Sequence, residues 1–443
     1  MNQPRQQQKP YVVLVSFDGL RADFLDRFEA PNFHRVMRQG TRAKSLIPVF
    51  PSLTFPAHYS IASGMYTDRH GIVGMTFFDP SRGETFSPQD ASVRDGSWFR
   101  GEPIWVRAEK QGMVSGSCLW FGSEAAIQGI RPTFWKKFDA SLSNDARVDT
   151  VMEWLRLPAE RRPHLVTLYF GDVDGAGHRF GPDAPEVEAA MLRVDQALGR
   201  LLDGIASLPF ADNVIVVLVS YHGMAKVTKE LTVPMESLTS VEGLRTYGAG
   251  SQMNVWVDGG QARARVVRDE INAKINHGRA YTREEIPASL HYRSDPRIGD
   301  VVIVMEEPWR VLPPKGGTRD MTTLGGWHGW NPASPTMHGI FVAMGRASGR
   351  MLRFQASRAF TSIRSWRNCW DLNQRPTSTV AGTGCADRCR TARLARQVLW
   401  PFECRSWRSV GRCECRYAGR FLPYGIVGIR EMGGDLADVV LRW

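Results

Sequence analysis

The first 350 residues of this 443-residue chain contain a single cysteine, Cys118. Internal disulfides are therefore excluded from the body, whose stability has to come from packing. The same stretch lacks a charge excess, with 40 Lys+Arg against 38 Asp+Glu, a net of +2. The formal net charge of +11 thus belongs mostly to the end of the chain, and the body gives no support to a nucleic-acid partner. Long apolar runs are missing as well. Nothing approaches the roughly 18 residues that a membrane span needs. The apolar run Tyr11–Val15 meets Asp18 rather than a small-residue cleavage site, so no signal peptide is visible. As written, the chain is expected in the cytoplasm, or in the periplasm or outside the cell where an N-terminal signal has been lost. Internal repeats and low-complexity segments are also absent. A hydrophobic content of 43% is ample for a packed core.

The last 93 residues lack different things. From Met351 onward there is no lysine and no histidine, against 16 arginines, five tryptophans and six of the seven cysteines. Such a composition reads as a GC-rich gene translated out of frame. Synonymous codons can be chosen for Arg353–Val380 so that reading from each third base gives IPGFASVHIYPLVAELLGLEPAPDIDG. Trp366 and Trp370 have one codon each and still fit. The expected organisation is one domain over residues 1–345 and an out-of-frame, non-native tail over 346–443. Cys385 with Cys389, and Cys413 with Cys415, are then an accidental likeness of a zinc knuckle.

What the body has is a set of short apolar runs that stop just before polar residues. Tyr11–Phe17 precedes Asp18, Leu165–Phe170 precedes Asp174, and Val214–Ser220 precedes Tyr221 and His222. Continuous runs rich in β-branched residues suit strands buried on both faces. The pattern predicts an α/β fold with a mostly parallel central sheet and helices on both faces. Polar residues just past the carboxyl ends of such strands are where open α/β sheets place ligands. Val187, Met191, Val194, Leu198 and Leu201 recur at helical spacing and predict a helix packed on the sheet. Pro56 suits the first turn of a helix running through His58 to Ala62. Thr54 then stands at a helix N-terminus, where backbone N–H groups favour a phosphate. Residues 80–100 and 235–300 are less regular and are expected to form excursions around the site.

Five stretches carry chemistry: Ser16-Phe17-Asp18-Gly19, Phe50 to His58, Asp174-Gly175-Ala176-Gly177-His178, Ser220-Tyr221-His222-Gly223, and Trp327-His328-Gly329-Trp330. Together they offer carboxylates and imidazoles, ligands that zinc prefers. They also offer a threonine hydroxyl, a weak nucleophile until a metal or base activates it. Asp174 and His178, with two glycines between them, are expected on a tight turn after a strand.

Taken in order and context, these stretches resemble the nucleotide pyrophosphatase/phosphodiesterase family of the alkaline phosphatase superfamily, over roughly residues 10–345. The resemblance implies an alkaline-phosphatase-like catalytic domain. It implies a two-zinc hydrolase that cleaves nucleotide phosphodiester or pyrophosphate bonds through a phosphothreonine and releases a nucleoside monophosphate. Thr54 matches the nucleophile. Asp174, His178 and His328 match one zinc site, while Asp18, Thr54 and His222 match the second. Phe55 and Tyr169 match aromatics that sandwich a nucleobase, and such stacking contributes roughly 1–3 kcal/mol. His58 lies on the nucleophile helix and is read as structural. The hidden text of the tail also looks like the family's terminal segment, an apolar helix with a Pro-rich exit.

Two positions depart from the family. Tyr221 stands where the family has aspartate, which makes it a doubtful ligand position and the second zinc site doubtful with it. Met75 stands where the family has an asparagine that donates to a phosphate oxygen, and a thioether cannot donate. Two alternatives stay open: a phospholipid or phosphonate diesterase of the same superfamily, or a metal-impaired, inactive relative that binds nucleotide. The tail is tested in the DNA. Codon usage typical of the gene's first part is expected to break near Gly345 and to continue in a shifted frame; unbroken usage past that point would refute the frameshift.

Overall fold

The computed structural model describes residues 1–314 and 325–345, together with the backbone of 346–347, 350–351 and 440–441. Tyr11–Phe17 is the central strand of a seven-stranded sheet. The order across that sheet is Thr41–Arg42, Phe341–Met344, Val214–Val219, Tyr11–Phe17, Leu165–Phe170, Ser115–Cys118 and Phe134–Lys136. Tyr11–Phe17 runs parallel to both of its neighbours, and Ser115–Cys118 runs parallel to both of its own. Only Phe341–Met344 runs against its partners. The sheet is mostly parallel, as the apolar runs predict.

All seven residues of the central strand are buried because each face meets a different core. Val13, Val15 and Phe17 join Val187, Met191, Val194, Leu198 and Leu201 on one side. Val12 and Leu14 join Ala57, Ile61 and Trp105 on the other. Helices therefore cover both faces. The long helix Pro185–Ala206 supplies the first set, and it opens with Pro185 and carries Glu186 and Glu188 in its first turn. Proline fits a first turn, and acidic side chains there complement the positive end of the helix.

Two expectations change. Asp174 and His178 lie on a helix, Asp172–Phe180, and not on a tight turn. Two glycines lower helix propensity by roughly 1 kcal/mol each. The acidic first turn of Asp172 and Asp174 works in the opposite direction. Gly177 is also closely packed, since a Cβ there would lie 3.1 Å from Met224 Cε. The second change concerns residues 235–300, which are more regular than their sequence suggests. Strands Leu244–Tyr247, Gln252–Val257, Val301–Met305 and Gly278–Thr282 form an antiparallel sheet. Helix Gly260–Asn272 packs on it, and Val255, Val267, Ile271 and Ile303 share its core.

Most of the tail lies outside the described residues; the backbone of Val440–Leu441 pairs in parallel with Ser45–Leu46. Among the described residues, no helix is long and apolar enough to cross a membrane.

Candidate functional site

The site sits at the carboxyl ends of the central strands. Asp18 follows Tyr11–Phe17 directly, and Gly19 after it has φ +67°. A Cβ on Gly19 would lie 2.7 Å from Asp174 Cα. The Asp18-Gly19 pair is thus explained by close approach: only glycine lets the first strand end pass against the helix carrying Asp174. Thr54 opens the helix Thr54–Ser63, preceded by Leu53 in an extended conformation that provides no side-chain cap. His222 lies just past Val214–Val219, and Ser220 Oγ donates to its carbonyl at 2.9 Å.

Backbone carbonyls fix the tautomer of three histidines. Nδ1 of His178 lies 3.0 Å from Gly326 O, Nδ1 of His328 lies 2.8 Å from Ser52 O, and Nδ1 of His222 lies 3.0 Å from Gly223 O. A carbonyl only accepts, so each Nδ1 carries the proton and, in the neutral ring, each Nε2 presents a lone pair. Those lone pairs converge. His178 Nε2 and His328 Nε2 are 3.2 Å apart, and they lie 3.5 and 3.6 Å from Asp174 Oδ1. His222 Nε2 lies 3.2 Å from Asp18 Oδ1 and 3.3 Å from Thr54 Oγ1, whose hydroxyl donates to it. Acceptors facing each other at such distances repel unless a cation lies between them.

Two groups of donors meet that requirement. Asp174, His178 and His328 form one, and Asp18, Asp174 and His222 form the other, each with ligand atoms within 4.8 Å of one another. Two carboxylates and three imidazoles are a donor set that suits zinc. The structure thus brings together Asp18, Thr54, Asp174, His178, His222 and His328, every metal position expected from the sequence.

Burial sets the protonation of the site. It pushes His222 down to about 3 and holds His58 well below the usual histidine range, so both rings are neutral. Burial also raises Asp18 to about 6, opposed first by the hydrogen bond from Tyr169. Tyr169 and Tyr221 are held well above the usual phenol range, by burial and then by the charge of Asp18.

Tyr221 is fully buried, stacked on His58 with ring centroids 4.3 Å apart and set edge-on against His222. Its hydroxyl faces Asp18 without a well-formed hydrogen bond. His58 is structural as expected, with Nε2 2.9 Å from Ser16 Oγ.

The aromatic pair is arranged differently from a simple sandwich. Phe55 stacks on Phe121 at 3.8 Å, so one of its faces is taken. Tyr169 donates its hydroxyl to Asp18 Oδ2 at 2.7 Å and thereby supports a ligand. Phe138, 6.3 Å from the Tyr169 ring and 53% exposed, is the open aromatic on that side. Phe121 and Phe138 carry no signal in the sequence, since no spacing ties them to the strand ends. Nor does Ser52, whose carbonyl orients His328 and whose hydroxyl donates to Trp330 O at 2.8 Å. Ser251, beside the antiparallel sheet, donates to His328 O at 3.0 Å and anchors the same loop.

A family model described as type I phosphodiesterase / nucleotide pyrophosphatase matches residues 12–331. An uncharacterised pyrophosphatase/phosphodiesterase of Schizosaccharomyces pombe is 32% identical over 349 residues, covering 75% of this chain and 71% of that protein. Human ectonucleotide pyrophosphatase/phosphodiesterase family member 1 is 31% identical over 351 residues, which are 76% of this chain but 37% of the human protein. Among solved structures, an inactive threonine-to-alanine variant of murine ectonucleotide pyrophosphatase/phosphodiesterase 5 in complex with AMP superposes with a TM-score of 0.71. It is 29% identical, and the match covers 76% of this chain and 88% of that one.

The raised Asp18 value has a testable sign. A carboxyl whose folded pKa stands at about 6 takes up a proton as pH falls through 6, and a metal must then displace it. Zinc affinity at the Asp18 position is expected to fall by up to about tenfold per pH unit below 6. His222 contributes nothing in that window, since it titrates near 3. Competition with a chromophoric chelator from pH 7 to 5 measures the slope; Asp18→Asn should remove this part of it.

Proposed function

This chain belongs to the type I phosphodiesterase / nucleotide pyrophosphatase family of the alkaline phosphatase superfamily, and we propose that it hydrolyses nucleotide phosphodiester or pyrophosphate bonds through a phosphothreonine on Thr54. One observation carries the reading: Thr54 Oγ1 stands at a helix N-terminus, 3.3 Å from His222 Nε2 and beside both groups of converging metal donors. A hydroxyl so placed, beside both groups of donors, is oriented for attack on phosphorus.

Asp174, His178 and His328 would hold one zinc, and Asp18, Thr54 and His222 the other. Bound there, the metals supply Lewis-acid polarisation of phosphoryl oxygens and lower the pKa of water. In the first step the Thr54 hydroxyl gives up its proton to solvent as its oxygen bonds to phosphorus, the bond to the leaving oxygen breaks in line, and that oxygen takes a proton from solvent. In the second, water cleaves the phosphothreonine and nucleoside monophosphate departs. Tyr169 holds Asp18 in place through its hydroxyl. The free face of Phe55 and the exposed ring of Phe138 are available to a base. The AMP complex of the murine neighbour supports a nucleotide as the ligand.

Thr54→Ala should abolish hydrolysis of p-nitrophenyl thymidine monophosphate with zinc present, while Thr54→Ser keeps a measurable rate. An alanine variant with substantial turnover would exclude covalent catalysis. Tyr221 favours a second reading, in which the Asp18 position binds metal weakly. A protonated phenol brings neither the negative charge nor the hard oxygen of a carboxylate. Metal analysis is then expected to give about one zinc per chain. Tyr221→Asp should restore about two and raise diesterase activity by about 10² or more. If the reversion changes neither quantity, Tyr221 is either a working ligand or not at the metal at all.

A further inference from the structure

We propose that Met75 sets which atom of a phosphoryl group the site accepts beside Thr54, and that it makes this position tolerant of sulfur or carbon in place of oxygen. Phosphorothioate and alkylphosphonate diesters would then be substrates. This rests on the reading that Thr54 attacks phosphorus.

The first turn of the nucleophile helix has little to offer an anion. Pro56 has no N–H, and Ala57 N–H is already bonded to Leu53 O at 3.0 Å. Phe55 N–H, next to the nucleophile, donates instead to Met75 Sδ at 3.4 Å. A thioether is a weak acceptor and has no proton to give. Met75 therefore takes the Phe55 N–H that a phosphoryl oxygen would otherwise meet, and its partly buried thioether lines the position beside it.

The energetics differ between atoms on phosphorus. A phosphoryl oxygen gains negative charge in the transition state, and a missing donor costs about 10²–10³ in rate. A sulfur or methyl group accepts hydrogen bonds poorly, so it forfeits little when that donor is absent. It gains dispersion contact with the polarizable thioether in return. The penalty falls on oxygen alone, and the usual preference for oxygen narrows.

The test uses the full chain loaded with zinc and the two separated diastereomers of p-nitrophenyl thymidine phosphorothioate, with the oxygen ester as reference. For the native chain, the diastereomer that sets sulfur beside Phe55 N–H is expected within about tenfold of the oxygen ester. Met75→Asn should raise the oxygen rate by about 10²–10³ and leave that diastereomer nearly unchanged. Equal oxygen-to-sulfur ratios in the two proteins would overturn the proposal. A second readout does not need turnover. With ¹³C-methyl methionine and the resonance assigned through Met75→Leu, AMP should shift the Met75 methyl signal. An unmoved signal removes Met75 from the phosphate position and ends the proposal. A shifted signal in a protein that cleaves no diester defeats the hydrolase reading, while Met75 keeps its place beside phosphorus.

Discussion

Three hydrogen bonds from imidazole to backbone carbonyl hold the site together. His178, His328 and His222 each point Nδ1 at a carbonyl oxygen, and that alone turns three Nε2 lone pairs toward a common centre. The carbonyls are not incidental. Ser52 O, which fixes His328, lies two residues before Thr54, and Gly326 O, which fixes His178, lies two before His328. For His178 and His328 the segment that bears one functional residue thus orients the donor on another, while His222 is fixed by its own neighbour, Gly223. Displacing one carbonyl would rotate a ring and also move the segment that bears a second functional group. Partners of this kind tune a metal site nearly as strongly as its ligands.

The rest of the fold serves that convergence. A parallel sheet with buried faces brings Asp18 and His222 out on neighbouring strands, since Tyr11–Phe17 and Val214–Val219 pair in register. The helix Asp172–Phe180 adds Asp174 and His178 on one face, four residues apart. Gly19 lets these elements touch. His328 arrives on a loop held from two sides, by Ser52 and by Ser251. The antiparallel sheet of residues 244–305, adjoining Ser251, therefore contributes to the centre through support, without placing a donor in it.

Much of this was legible beforehand, for identifiable reasons. Uninterrupted Val, Leu and Ile runs can only be strands buried on both faces, so the sheet and its strand ends followed. The five ordered stretches named the six candidate donor residues that the fold brings together. The Asp174–His178 segment misled because two glycines signal a turn locally, while the helix Asp172–Phe180 runs through both and has an acidic first turn in its favour. The antiparallel sheet was obscured because its strands are short and far apart in the chain, with the helix Gly260–Asn272 between Gln252–Val257 and Gly278–Thr282. Tyr169 shows a different limit. Residue type and position mark an aromatic near the site, yet the direction of its hydroxyl depends on Asp18, which is 151 residues away.

Tyr221 and Met75 belong together because both are accommodated by packing and neither by chemistry. Tyr221 finds an aromatic slot against His58, so the fold bears a ring where a carboxylate would leave more room. Its hydroxyl is left facing Asp18 with nothing well formed to bond. Met75 places a soft sulfur on an N–H that would otherwise meet a phosphate. The two lie on different sides of Thr54, one reaching it through Asp18 and His222, the other through Phe55. Each replaces a polar demand by apolar contact. Packing contact is thereby kept, while the charge and donors around Thr54 are reduced. A core tolerates such exchanges when volume is conserved, but a polar centre does not, because a lost charge or donor has no substitute in packing.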